Sequence, residues 1–109
     1  MKEEATPKVL RTFPREKAFY FFTSVGNYTG ESASSLKEFL DKINVVDVKA
    51  LEFHLYRGDF EKWMVEVLED KELATKVKSI REGNYSGITL KEQLYNIVAK
   101  HYKMLCSKV

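Results

Sequence analysis

Two apolar stripes at helical spacing meet across a single dipeptide, Gly58-Asp59, and no other feature constrains the chain as tightly. Before it, Val48, Leu51 and Leu55 share one face behind Asp47, a residue suited to an N-cap. After it, Phe60, Trp63, Met64 and Val67 share one face of a second helix that starts at Asp59. Gly58 suits a left-handed C-terminal cap, because it has no Cβ to clash there. With no loop between them, the two helices must turn a sharp corner. Asp59 is expected to commit its oxygens to capping.

The rest of the chain reads around this corner. Residues 1–17 carry Pro7, Pro14 and many charges, and read as an extended, partly mobile arm, either flexible or docked through Val9, Leu10 and Phe13. Residues 18–109 read as a single helical domain. Phe19-Tyr20-Phe21-Phe22-Thr23 is the most β-prone run and is followed by Gly26-Asn27 and Gly30. It reads as a strand and turn, a short hairpin with Tyr28 and Thr29 on the return. An aromatic first helix is the alternative.

Helical signals strengthen from Ser34 on. Ser35 and Glu38 have capping-box spacing, and Leu36, Phe39, Leu40 and Ile43 form one stripe. After a break at Glu69-Asp70, Leu73, Val77 and Ile80 form another, ending near Gly83-Asn84. Thr89 and Glu92 have the spacing of a second capping box. Behind it, Leu90, Leu94, Ile97, Val98, His101 and Leu105 mark a last helix. The expected fold is mainly α: a compact bundle of about five short helices with a short N-terminal aromatic strand or hairpin.

Composition narrows the function classes. The chain has 109 residues, 44% hydrophobic and 13% aromatic, which suits one globular domain rather than disorder. Charged residues make up 31%, yet the net charge is only +2. The lysines of residues 71–82 alternate with Glu72 and Glu82, so no phosphate-tracking face stands out, and nucleic acid is not the expected partner. Abundant Lys and Glu beside a single glutamine, Gln93, resemble the bias of proteins from hot environments. Cys106 is the only cysteine, which excludes an internal disulfide and suits a reducing compartment. The longest apolar run, residues 18–22, is too short for a membrane span, and the N-terminus has no secretory character. A cytoplasmic location is therefore expected.

Few residues invite chemistry. Gly26 to Ser32 resembles a phosphate-binding loop only superficially, since three residues rather than four separate its glycines and Glu31 follows. The two histidines and Cys106 lack metal-ligand spacing, so neither metal nor cofactor is expected. Arg57-Gly58-Asp59 matches an adhesion tripeptide but sits at a helix junction. His54 can be an acid or base with Asp59 or Glu52 as an orienting carboxylate, yet Glu52 is nearly opposite it on the helix and Asp59 is expected to be committed to capping. The better reading is a half-buried histidine hydrogen-bonded to the Phe19–Thr23 region or to a helix end.

Taken in order, these residues resemble a known pattern. Its first block is Phe19-Tyr20-Phe21, Gly26, Thr29-Gly30, Ala33-Ser34-Ser35-Leu36 and Glu38-Phe39. Its second is Val46, Leu51-Glu52-Phe53-His54-Leu55, Arg57-Gly58-Asp59-Phe60 and Trp63, followed by Leu68, Asp70 and Leu73-Ala74. The succession resembles an uncharacterised domain family of archaeal and bacterial proteins, over roughly residues 19–80. Longer bacterial members place more residues between the His and the Asp-Phe-x-x-Trp element. Here only residues 55–58 intervene, as in the compact archaeal form. The resemblance implies that His54, Arg57, Asp59 and Trp63 belong to the family pattern; it implies no activity.

The expected function is a non-catalytic interaction or ligand-recognition module. Its candidate binding residues are Tyr20, Tyr28, His54, Arg57 and Trp63, around an apolar-polar groove that takes a protein segment or small ligand. The aromatic excess also points to a protein partner or to homo-oligomerisation. A nucleic-acid binder and a small enzyme using His54 are the alternatives.

Overall fold

The computed structural model describes residues 8–107, so residues 1–7 of the expected arm lie outside the described part. Two 3-10 turns, Lys8–Leu10 and Arg15–Lys17, lead into an antiparallel hairpin of β1 (Phe19–Ser24) and β2 (Asn27–Ala33). Five helices follow: α1 (Leu36–Ile43), α2 (Val48–Arg57), α3 (Asp59–Glu66), α4 (Lys71–Glu82) and α5 (Gly87–Cys106). The fold is mainly α with one small hairpin. Val9 is buried, Leu10 and Phe13 pack against the core, and the Phe13 N–H donates to the Ser34 carbonyl at 2.7 Å.

The aromatic run is a strand because its rings alternate: Phe19 and Phe21 are buried while Tyr20 faces solvent. Its return strand runs past Tyr28 and Thr29 to Ala33, well beyond the short return the sequence suggests. Gly30, Glu31 and Ser32 are poor strand formers, and pairing with β1 overrides that preference. The register pairs Phe19 with Ala33, Tyr20 with Ser32, Phe22 with Tyr28 and Ser24 with Asn27, with an irregularity on each side of Phe22. Thr29 bridges this break, its Oγ1 donating to the Phe21 carbonyl (2.8 Å) and accepting the Glu31 N–H (3.1 Å).

The buried rings lock the hairpin to the helices. Phe19 lies 5.1 Å from Phe60 and 5.9 Å from Phe39, and Phe39 lies 5.5 Å from Trp63. Edge-on and tilted pairs of this kind add about 0.5–1.5 kcal/mol each beyond area burial. Leu73, Val77 and Ile80 of α4, with Leu90, Leu94 and Val98 of α5, extend the same core.

Most helix starts follow the sequence. The Ser35 hydroxyl accepts the Glu38 N–H (3.1 Å), and Glu38 reaches back to the Ser34 N–H (2.8 Å). Asp47 caps α2 through the Lys49 N–H, and Asp70 caps α4 through the Leu73 N–H. The last helix departs from expectation. Thr89 and Glu92 lie inside α5, which starts at Gly87, and no side-chain hydrogen bond comes from its N-cap Ser86. A carboxylate from another helix supplies the partner instead: Glu52 of α2 accepts the Gly87 N–H at 2.7 Å. At the end of α4 the left-handed residue is Asn84 (φ +57°), whereas Gly83 is right-handed. A Cβ on Gly83 would lie 2.6 Å from the partly exposed Tyr85 ring, so a side chain there would have to displace that ring.

Candidate functional site

The site grows out of the α2–α3 corner. Gly58 adopts φ +79°, ending α2 and starting α3 in one residue. That reversal brings the first residue of α3 back over the last turn of α2. Asp59 Oδ2 therefore sits 2.8 Å from His54 Nδ1 and 3.3 Å from Arg57 Nε. The expectation that Asp59 caps its own helix is corrected, since α3 has no side-chain cap at its start. As the first helical residue rather than the cap, Asp59 projects its carboxylate away from the free amides and onto α2.

His54 is 4% exposed, and both ring nitrogens are engaged. Nε2 lies 2.8 Å from the Phe22 backbone nitrogen. A backbone N–H can only donate, so Nε2 carries no proton and Nδ1–H donates to Asp59. Burial pushes the imidazole below its ordinary value near 6.5, outweighing the opposing pull of Asp59. Imidazole on carboxylate is the geometry of an oriented general base, but the nitrogen that would accept the proton is already bonded to the strand. His54 joins the edge of β1 to the helix corner, as the sequence reading of a histidine bonded to the Phe19–Thr23 region expects.

Beside this joint lies a half-open cleft of about 450 Å³, between β1 and the α2–α3 corner. Phe19, Phe22, Phe53, Trp63 and Val67 give it apolar walls, and the hairpin tip at Val25 closes one side. Trp63 is anchored by its indole N–H, which donates to the Lys17 carbonyl at 2.8 Å. Tyr20 stands at the lip, with its hydroxyl donating to the Arg15 carbonyl (2.6 Å). Arg57 lies over the Phe53 ring at 4.8 Å. Asp59, Lys62 and Glu66 of α3 also line it, with Ser24 and Gly26 at the hairpin tip. Four of the five residues singled out in the sequence, Tyr20, His54, Arg57 and Trp63, thus border one cleft. Tyr28 lies outside that lining and packs on Tyr20 (5.9 Å) and Phe22 (5.3 Å).

Sequence reasoning missed Phe53 and Lys62. Phe53 is spaced i, i+4 from Arg57 on the outer face of α2, a spacing at which a ring and a guanidinium meet. Lys62 gives no such signal, since only the angle of the corner swings it toward β1.

A second histidine–carboxylate pair ties α5 to the start of α4. His101, 2% exposed, meets Asp70 Oδ2 through Nε2 (2.7 Å) and Lys76 Nζ through Nδ1 (3.1 Å). Lys76 is a donor, so Nε2 carries the proton toward Asp70. Among the described residues, no group of three or more His, Cys, Asp or Glu is placed to hold a metal ion. No helix among them is long and apolar enough to cross a membrane.

No curated protein and no solved structure is matched by the chain. A family model does match, over residues 14–107, well beyond the span carried by the sequence resemblance and across every strand and helix of the fold. The chain belongs to a family of unknown function, DUF5752.

Proposed function

We propose that this chain is a recognition module that holds an apolar group, from a small ligand or a protein segment, in the cleft between β1 and the α2–α3 corner, without doing chemistry on it. The observation that carries this reading is the cleft itself: aromatic walls around about 450 Å³, within the size range of small-molecule sites. The non-catalytic part rests on His54, whose two nitrogens are both spent on holding the strand and the corner. The segment from Phe53 to Trp63, the core of the sequence resemblance, supplies one wall of the cleft. Charge opposes the nucleic-acid alternative, because acids and bases interleave along α4.

Trp63 is the only tryptophan and borders the cleft, so its emission reads occupancy directly. Titration with a neutral aryl fragment such as 4-phenylbutanol is expected to give a saturable change, with affinity in the millimolar range, roughly what a ligand of that size supports. Backbone amide shifts should cluster on β1 and on residues 53–67. Shifts scattered over the surface, or none at saturating fragment, would refute the reading.

A further inference from the structure

The apolar walls do not by themselves choose a ligand, but the charges around them are arranged unequally. Asp59, the nearest acid, is turned onto His54 and Arg57 and is already hydrogen-bonded. Arg57 is held on two sides, by the Phe53 ring at 4.8 Å and by Asp59 on Nε at 3.3 Å. Its side chain is still 51% exposed, and among the described residues Asp59 is its one ion-pair partner. The two terminal nitrogens, Nη1 and Nη2, therefore remain for a ligand. That fork matches two carboxylate oxygens, and a guanidinium already fixed by its neighbours loses little freedom on binding. Lys62, exposed and in no ion pair among the described residues, lines the same cleft.

The geometry points to a ligand of one chemical class: an aryl or alkyl carboxylic acid, its hydrocarbon part among the aromatic walls and its carboxylate on Arg57, with Lys62 adding charge. The inference rests on the proposed recognition cleft and names what that cleft takes. A single negative charge fits better than a phosphate dianion, because Glu66 stands one turn beyond Lys62 and repels the larger charge more. A quaternary or primary ammonium fits worse still, since Lys62 and the terminal nitrogens of Arg57 would repel it and Arg57 already occupies the face of Phe53.

A matched series tests this by Trp63 emission: 4-phenylbutyrate, its amide, 4-phenylbutylamine and phenyl phosphate. The acid is expected to bind about tenfold tighter than the amide, a ratio set by one charge-assisted hydrogen-bond pair. In Arg57→Gln/Lys62→Gln the ratio of acid to amide affinity should collapse toward one, and Glu66→Gln should tighten the acid alone. Equal binding of acid and amide by the natural chain would overturn the carboxylate assignment and leave the recognition cleft standing. The assignment is overturned in the same way if the amine or the phosphate binds tightest, or if the acid preference survives in the double variant. If no member of the series perturbs Trp63, the assignment and the recognition reading fall together.

Discussion

His54 illustrates how much one side chain can decide. Its ring needs a proton on Nδ1 for Asp59 and none on Nε2 for the Phe22 N–H, so only one neutral tautomer satisfies both partners. Protonating Nε2 would set two donors against each other in a buried place. Burial lowers the folded-state value below the ordinary 6.5, so above about 6.5 the contribution to stability is fully present. It falls as pH drops from there through the lowered value, because the unfolded chain takes up the proton first. Equilibrium denaturation between pH 7.5 and 5 is expected to show this slope, and His54→Ala to lack it. At pH 7.5 that variant should lose about 3 kcal/mol, from the emptied volume and the stranded Phe22 amide. An unchanged slope in the variant would assign the pH dependence to other groups. The partner of Nε2 was legible in the sequence, since a histidine on the inward edge of a helix next to a β-prone run needs one. The partnership with Asp59 was legible only as the lesser alternative, because a residue after Gly reads as a cap until the angle of the turn is known.

At the scale of elements, the α2–α3 corner depends on one backbone conformation. Nothing lies within 4 Å of a Cβ built on Gly58, so the cost of a side chain there is conformational rather than steric crowding by neighbours. Gly58→Ala is expected to cost about 1–2 kcal/mol by chemical denaturation, the penalty of a left-handed L-residue. It should also weaken ligand binding at the cleft, whose Arg57 and Lys62 sit on opposite sides of the turn. A cost below about 0.5 kcal/mol would mean that the corner does not need the left-handed residue. Caps within one helix were legible at Ser35 and Asp47, whereas Asp70 read only as a break. The start of α5 was not, because its partner, Glu52, lies 35 positions earlier in the chain and a capping-box pattern at Thr89 competes with it.

Across the whole molecule, the two histidine–carboxylate pairs join different parts of the fold. His54–Asp59 joins the hairpin to the corner, whereas His101–Asp70 joins the final helix to the start of α4. Asp70 serves twice, with Oδ1 on the Leu73 N–H and Oδ2 on His101. Asp70→Ala therefore removes a cap and strands a buried imidazole, and should destabilise the fold by about 3 kcal/mol. Asp70→Asn, which can still cap, should cost less. If the two variants lose the same amount, the cap contributes nothing beyond the link to His101. The number and faces of the helices were legible from apolar spacing. The pairing of distant polar groups was not, since His101 looks in sequence like one more member of an apolar stripe.

The bond from His54 to Phe22 has one more consequence. A two-stranded hairpin has two outer edges, and a bare edge is a template for a strand from another molecule. His54 occupies a position on the β1 edge that a third strand would fill, using an imidazole nitrogen where a neighbouring carbonyl would sit. With that position vacated, His54→Ala is expected to self-associate more than the natural chain at high concentration, which light scattering would read; equal scattering would mean that the packing of α2 alone covers the edge.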